Sequence, residues 1–283
     1  MLYRLVGYLP FWLLYALAHL GYLLLYHVAR YRREVVADNL AHAFPEKNAA
    51  ERKRLEKAFY LRLCQVALEV LRARTMRLEE FAARVKVTNG ELVERLSEGR
   101  TRSIIVLTIH QGNWEWMLHG NTAALGISMD PVYKPLHDAA ADEVMLETRN
   151  RFGSRPLAMA DAARDILRRR REFRLFVMVA DQSPTGDERG YWTQFFHRDA
   201  RFYLGAESIA QATGFPVVFA QCRRLSTGHY EMIYREVAEP PYEKGSHAIT
   251  ERYIEIAEEA IRAEPESWLW SNRRWKRARP ADA

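Results

Sequence analysis

A chain of 283 residues, 48% hydrophobic and 28% charged, is ordinary for a globular protein and long enough to bury a sizeable core, as one large domain or two small ones. Its two cysteines, Cys64 and Cys222, exclude a disulfide framework and a cysteine metal site, and they are compatible with a reducing compartment. A net charge of +6 points to an anionic partner, for which nucleic acid, a membrane surface and an acidic carrier protein all qualify.

Leu5 to Val28 carries no Asp, Glu, Lys or Arg. As a helix it would be about 36 Å long, enough to cross a bilayer core. Pro10, His19, Gly21 and His27 interrupt it, and its four tyrosines and one tryptophan suit an interface. The apolar run continues past Ala16-Leu-Ala18, which argues against a cleaved signal peptide. Arg30, Arg32 and Arg33 follow, and by the positive-inside rule they keep the next domain in the cytoplasm. Residues 1–33 are therefore read as a membrane anchor, spanning or interfacial, with a helix packed on the domain as the bland alternative. Residues 34–283 form one domain, with no internal repeat, low-complexity linker or further boundary.

Within that domain, Pro45 closes a first helix, and Ala49 to Arg74 reads as a long amphipathic helix with Leu55, Phe59, Leu63, Val66 and Val70 as its core stripe. Val85–Thr88 is a short strand, and Glu91 to Ser97 is a short helix ended by Gly99. Ile104 to Ile109 is a run of six apolar or β-branched residues, which suits a buried strand. His110 stands where that strand ends, Gly112 and Asn113 break the pattern, and Asn113 is a candidate N-cap for a helix from Trp114. A histidine and a carboxylate, His110 and Glu115, thus meet at a strand-to-helix turn, where α/β proteins bind ligands. A neutral imidazole takes a proton from an alcohol near pH 7, and does so better when its second nitrogen donates to a fixed carboxylate. Glu115, one helical turn in, is the candidate for that carboxylate. No Gly-x-Ser-x-Gly elbow is present, so the hydroxyl comes from the substrate.

Further on, Pro131 to Pro135 reads as a strand, and Asp138 caps a helix running to about Arg151. Asp161 caps a second helix, Ala162 to Glu172, which carries Arg168, Arg169, Arg170 and Arg171 at its end, followed by Arg174. The helix dipole accounts for one or two of these. Four in a row read as a landing patch for an acidic carrier protein or lipid headgroups, against a merely solvated helix end. Leu175 to Ala180 is a second buried strand, after which Asp181 and Gln182 open a loop with Pro184 and Gly186. Asp181 could orient the substrate or a basic partner, or simply satisfy a turn. Phe202 to Thr213 is a helix closed by Gly214, Pro216 to Cys222 a buried strand with His229 to Glu236 as its antiparallel neighbour, and Ile249 to Ala263 the last helix. Asn272 to Arg279 holds five cations and Trp275. Strands and helices alternate, with one late antiparallel pair, so the expected fold is α/β with a mixed β-sheet flanked by helices.

His110-Gln-Gly-Asn-Trp-Glu115 after a buried strand resembles the His-x4-Glu motif of the lysophospholipid acyltransferase superfamily, and more narrowly that of the lipid A late acyltransferases, the lauroyl/myristoyl transferases of Gram-negative bacteria. Ala37-Asp-Asn-Leu-Ala-His-Ala-Phe-Pro45 resembles an early element of that family. Asp181-Gln182, Phe195-Phe196, Gly205 and Thr213-Gly-Phe-Pro-Val-Val218 resemble its central block, and Leu269-Trp-Ser-Asn-Arg-Arg-Trp-Lys276 its closing motif. The chain departs from the family pattern at Lys134, where Tyr-Arg-Pro is usual, and at His197, where a glycine is usual. A lysine still pairs with phosphate as a point charge but lacks the bidentate fork.

The resemblance implies acyl transfer from an acyl carrier protein thioester to a hydroxyl of a lipid A precursor, at the cytoplasmic side of an inner membrane, with no cofactor, no metal and no nucleic-acid partner. It makes His110 the general base and Glu115 its orienting partner, with the N–H groups of Gly112 and Asn113 as oxyanion candidates. Lys134, Asp181, Gln182, Arg273 and Arg274 become candidate substrate-binding residues. Three rivals stand beside this reading. One keeps the chemistry on another glycolipid, lysophospholipid or aminolipid. The second is a metal hydrolase using His110, Glu115 and His119, and the third a non-enzymatic membrane-surface or nucleic-acid binder.

Overall fold

The computed structural model describes residues 5–184 and 188–280; Gly186, read above as part of the loop after Asp181, lies outside them. The first long helix, α1 (Phe11–Leu23), continues as a π-helical turn over Leu24–Val28. Then come α2 (Arg33–Ala43), α3 (Ala49–Ala73), α4 (Leu78–Ala82), β1 (Val85–Thr88), α5 (Gly90–Leu96), β2 (Ile104–Thr108) and α6 (Trp114–Leu125). The middle of the chain gives β3 (Met129–Tyr133), α7 (Ala139–Arg149), β4 (Leu157–Ala158), α8 (Ala162–Arg168), β5 (Leu175–Val179), β6 (Gly190–Phe195) and β7 (Arg198–Tyr203). The last elements are α9 (Gly205–Thr213), β8 (Val217–Ser226), β9 (His229–Ala238) and α10 (Ala248–Ala263).

Seven strands form one sheet in the order β1-β9-β8-β2-β5-β3-β4. Only the β8–β9 pair is antiparallel, so the sheet is mixed, as the element pattern implied. All five residues of the central strand β2 are buried, which is why it reads as a continuous apolar run rather than an alternating one. Its side chains feed two cores. Ile105 and Leu107 join Leu40, Phe59, Ile209 and Ile256 on one face, and Ile104 and Val106 join Phe81, Trp116 and Met129 on the other.

The stripe read on α3 faces the core: Phe59 and Val66 are buried, and Leu55 and Leu63 pack at its margin. Asn48 and Glu51 close its start as a capping box, each side chain accepting from the other's backbone N–H at 3.0 and 2.7 Å. Against this helix lies α1. Leu14 and Ala18 are buried and the Tyr15 hydroxyl donates to Glu69 of α3 at 3.0 Å. The other face of α1 is apolar and open, with Trp12 71% and Val28 74% exposed. Phe11–Val28 is long and apolar enough to cross a membrane by length and composition.

Three boundaries differ from the sequence reading. The residues between the Asp181 loop and α9 form a hairpin, β6–β7, that was not foreseen, so Phe202 lies in a strand opposite Tyr191 and α9 begins only at Gly205. The alternation was present, with Ala200 and Phe202 buried and Asp199 exposed, but charged neighbours mask it. The two-residue turn puts Phe196 and His197 at φ 49° and 62°. His197 thus adopts the positive φ that a glycine would supply, as a primed hairpin turn requires. Finally, α8 stops at Arg168 rather than 172, because Arg169 turns inward to Asp130.

Gly120 of α6 packs directly on β1. A Cβ there would sit 2.3 Å from Val85 Cγ1 of β1. Gly120→Ala should therefore cost about 1–3 kcal/mol by overpacking, despite alanine's better helix propensity. A urea unfolding midpoint below that of the wild type is the expected reading, and an unchanged or higher midpoint would show that the interface yields.

Candidate active site

The parallel register pairs Thr108 of β2 with Val179 of β5. Two residues further along each strand stand His110 and Asp181, so the sheet itself brings them together at its carboxyl edge, where ligands bind in open α/β sheets. His110 Nδ1 lies 2.6 Å from Asp181 Oδ1. The other carboxylate oxygen accepts from the His110 backbone N–H at 3.1 Å and from the Trp268 indole Nε1 at 2.7 Å. Burial alone would raise the Asp181 carboxyl, but the His110 imidazole and these donors outweigh it and hold it below the usual carboxylate range. An ionised carboxylate only accepts, so Nδ1 carries the proton and Nε2 keeps its lone pair. Gln182 Nε2 lies 3.4 Å from that Nε2, and the Trp114 ring stands edge-on to the imidazole at 5.1 Å.

The contact with His110 Nδ1 expected of Glu115 is made by Asp181 instead. Glu115 sits in the first turn of α6 and faces α7, where Arg149 takes both its oxygens, Nε to Oε2 at 2.9 Å and Nη2 to Oε1 at 2.5 Å. A bidentate guanidinium fork takes one acceptor direction on each carboxylate oxygen and fixes the carboxylate toward α7. Burial pushes the Glu115 carboxyl up, while the Arg149 guanidinium outweighs it and holds the carboxyl below its ordinary value. Glu115 therefore remains within electrostatic reach of His110 without touching Nδ1.

The oxyanion candidates are also committed elsewhere. The Gly112 N–H donates to the Ser267 carbonyl at 3.0 Å, and the Asn113 N–H faces the Cys222 sulfur. Gly112 has φ +58°, and a Cβ there would meet Cys222 Sγ at 2.7 Å, so glycine is required by both backbone and space. Asn113 is the N-cap foreseen for α6. Its side chain accepts from Trp116 N at 3.1 Å and donates to Glu69 Oε2 at 2.9 Å. The buried Glu69 also accepts from Tyr230 at 2.6 Å and from Tyr15, which ties the turn to α3, β9 and α1 together. From the other side, Leu269 N–H donates to the His110 carbonyl at 3.0 Å. The closing motif therefore clamps the turn at Leu269.

The remaining candidates divide. Lys134 is exposed just beyond β3, on the same sheet edge as His110. Arg274 is buried behind Asp181, 1% exposed, with its guanidinium on Ser183 Oγ at 2.6 Å and 4.1 Å above the Phe202 ring. Burial lowers its pKa to about 10, and the Asp181 charge opposes that shift. It supports the site from within and cannot contact a ligand in the open, whereas Arg273 is exposed and borders a separate basic groove. Of the four arginines read as a patch, Arg168, Arg170 and Arg171 are exposed, Arg168 pairing with Asp165 at 2.5 Å, while the half-buried Arg169 turns in against Asp165 and Asp130 at 2.7 and 3.2 Å. These residues also precede the amino end of β5, about 17 Å of strand away from the edge that carries Asp181.

The metal reading fails on its donors. His119 Nε2 donates to the Thr148 carbonyl at 2.9 Å, and its ring lies among Phe81 and Phe152 at 5.0 and 5.1 Å, away from His110. Among the described residues no group of three or more His, Cys, Asp or Glu side chains is arranged to hold a metal ion. Sequence reasoning missed Arg149, Trp268 and Glu69 as site components. Trp268 adjoins the closing motif and was the most findable of the three.

A small pocket lies beside the His110 and Trp114 rings and is lined also by Phe59, Leu63, Val66 and Leu269. Its lining is mostly apolar, with Arg62, Arg224 and Glu266 beside the aromatic and aliphatic side chains. In comparisons with known proteins, a family model described as bacterial lipid A biosynthesis acyltransferase matches residues 1–277. No curated protein matches the chain.

His119 gives this region a pH dependence. Burial lowers its pKa from 6.5 to about 4, so the folded chain stays neutral there while the unfolded chain binds a proton. Stability should fall as pH drops through 6.5 and continue falling to about 4, by at most about 1.4 kcal/mol per pH unit for this one group. Urea midpoints at pH 7 and pH 5 should differ more in the wild type than in His119→Gln, which keeps a donor toward Thr148. Equal differences would assign the acid sensitivity to other groups.

Proposed function

The chain belongs to the bacterial lipid A biosynthesis acyltransferase family, and we propose that it moves a fatty acyl chain from an acyl carrier protein thioester to a hydroxyl of a lipid A precursor. The observation that carries the mechanism is the His110–Asp181 pair at 2.6 Å, whose imidazole lines a mostly apolar pocket. His110 Nε2 takes the proton of the acceptor hydroxyl as its oxygen attacks the thioester carbonyl. Asp181 keeps the imidazole in the required tautomer and stabilises the imidazolium. The tetrahedral intermediate collapses with loss of thiolate, which takes the proton from Nε2, and base and protein return unchanged. No acyl-enzyme is required, because the acceptor attacks directly.

Gln182, with its amide 3.4 Å from Nε2, is placed to donate to the developing oxyanion or to the acceptor hydroxyl. Glu115 holds Arg149 at the edge of the site and adds a second negative charge near the imidazolium. The docked face of α1 and its open apolar face favour a helix lying in the plane of the membrane surface. Arg30, Arg32, Arg33, Lys53 and Arg273 outnumber Glu34 and Glu56 in a groove of about 670 Å³ at its end, a fitting contact for anionic headgroups on the cytoplasmic side.

Mass spectrometry of lipid A from cells with and without the protein tests the reaction. A species short of one secondary acyl chain, restored by the wild type and not by His110→Ala, is the expected result; a change confined to another lipid would keep the chemistry and move the acceptor. In purified enzyme, Asp181→Asn should lower kcat about 10³–10⁴-fold, as loss of the carboxylate that sets a catalytic tautomer does elsewhere. Glu115→Gln should cost less. The reverse order would return the orienting role to Glu115.

A further inference from the structure

One wall of the His110 pocket is not apolar. Arg62 of α3 and Arg224 of β8 both line it. The two guanidinium groups share one acceptor: Gln65 Oε1 takes Arg62 Nη1 at 3.3 Å and Arg224 Nη1 at 2.9 Å. Arg62 Nε and Arg224 Nη2 are shielded from water and have no hydrogen-bond acceptor. Among the described residues neither side chain forms an ion pair. The nearby carboxylates do not compensate: Glu264 accepts the Arg224 backbone N–H at 3.1 Å, and Glu266 lines the pocket without closing on either guanidinium. Burial, and then the Arg224 charge, lower the Arg62 pKa, which reflects two cations held together and partly dry.

Such an arrangement is unfavourable in the empty protein, since half-buried cations with unfilled donors lose hydration without a replacement. Arg169 and Arg174, by contrast, are matched by Asp130, whereas Arg274, behind Asp181 and outside this pocket, also has two guanidinium nitrogens without an acceptor. A phosphate group supplies what is missing, because its oxygens fit the planar guanidinium fork and its charge offsets both cations. We propose that Arg62 and Arg224 form a phosphate-binding subsite in the pocket wall, which holds a phosphate ester of one of the two substrates while its reacting group lies at His110. This rests on the acyl-transfer reading for the choice of substrate, and either the acceptor lipid or the phosphopantetheine arm of the donor carries such a group.

The test starts with a readout that needs no activity. Thermal unfolding of the full chain in detergent is followed with inorganic phosphate against chloride at equal ionic strength. Wild type should show a saturable rise in Tm that Arg62→Gln/Arg224→Gln lacks and Arg62→Lys weakens. The double variant removes two unpaired cations, so its Tm in chloride should equal or exceed that of wild type, which separates loss of the site from loss of fold. No phosphate-dependent rise in wild type, or an equal rise in the double variant, overturns the subsite whether or not the enzyme acylates lipid A. Kinetics then name the source. A KM raised about tenfold or more, with kcat kept, is expected for one substrate only. If the increase disappears with a dephosphorylated acceptor, the phosphate is the acceptor's. If it disappears with a short acyl thioester lacking the phosphopantetheine arm, it is the donor's. An unchanged KM for both substrates overturns the role.

Discussion

Three N–H groups converge on one buried carboxylate, Asp181, and the geometry of the site follows from that convergence. The imidazole of His110, its backbone N–H and the Trp268 indole come from two segments of the chain more than a hundred residues apart, and each fixes the others. The strand register of β2 and β5 supplies the approach, and the closing motif supplies the clamp. A carboxylate that accepts three such bonds stays ionised despite burial, and it leaves Nε2 of His110 with a lone pair directed away from it.

A second acid–base pair stands beside the first. Glu115 and Arg149 neutralise each other in a bidentate contact, so the His-x4-Glu spacing places two carboxylates near one imidazole with different work for each. Asp181 touches the ring. Glu115 acts on it through space and holds a guanidinium at the site's edge. Behind the turn, Glu69 collects Asn113, Tyr15 and Tyr230. The apolar N-terminal helix is thus coupled to the helix cap next to His110 through one hydrogen-bonded cluster.

Much of this was legible in the sequence where the signal is local. The apolar run to Ile109, the break at Gly112 and the cap at Asn113 placed the strand, turn and helix of the site correctly, because period and capping act over a few residues. The partner of His110 was not legible. Asp181 was singled out as a site residue, but its contact with His110 depends on a parallel register that no short-range pattern encodes, and the near-in-sequence Glu115 took its place. Arg149 and the pocket arginines were hidden for the opposite reason. In a chain with 42 Lys and Arg, composition does not show which cations lack a partner. The β6–β7 hairpin escaped because its turn is Phe-His rather than a glycine-containing pair.

The most direct test of the Asp181 clasp is the tautomer of His110, measured by ¹⁵N-resolved NMR on histidine-labelled full-length protein in detergent, with His110→Ala to assign the resonance. The account predicts a neutral ring protonated at Nδ1, with a strongly hydrogen-bonded downfield proton that is lost in Asp181→Asn and persists in Glu115→Gln. A ring protonated at Nε2, or a proton that responds to Glu115→Gln and not to Asp181→Asn, would contradict it.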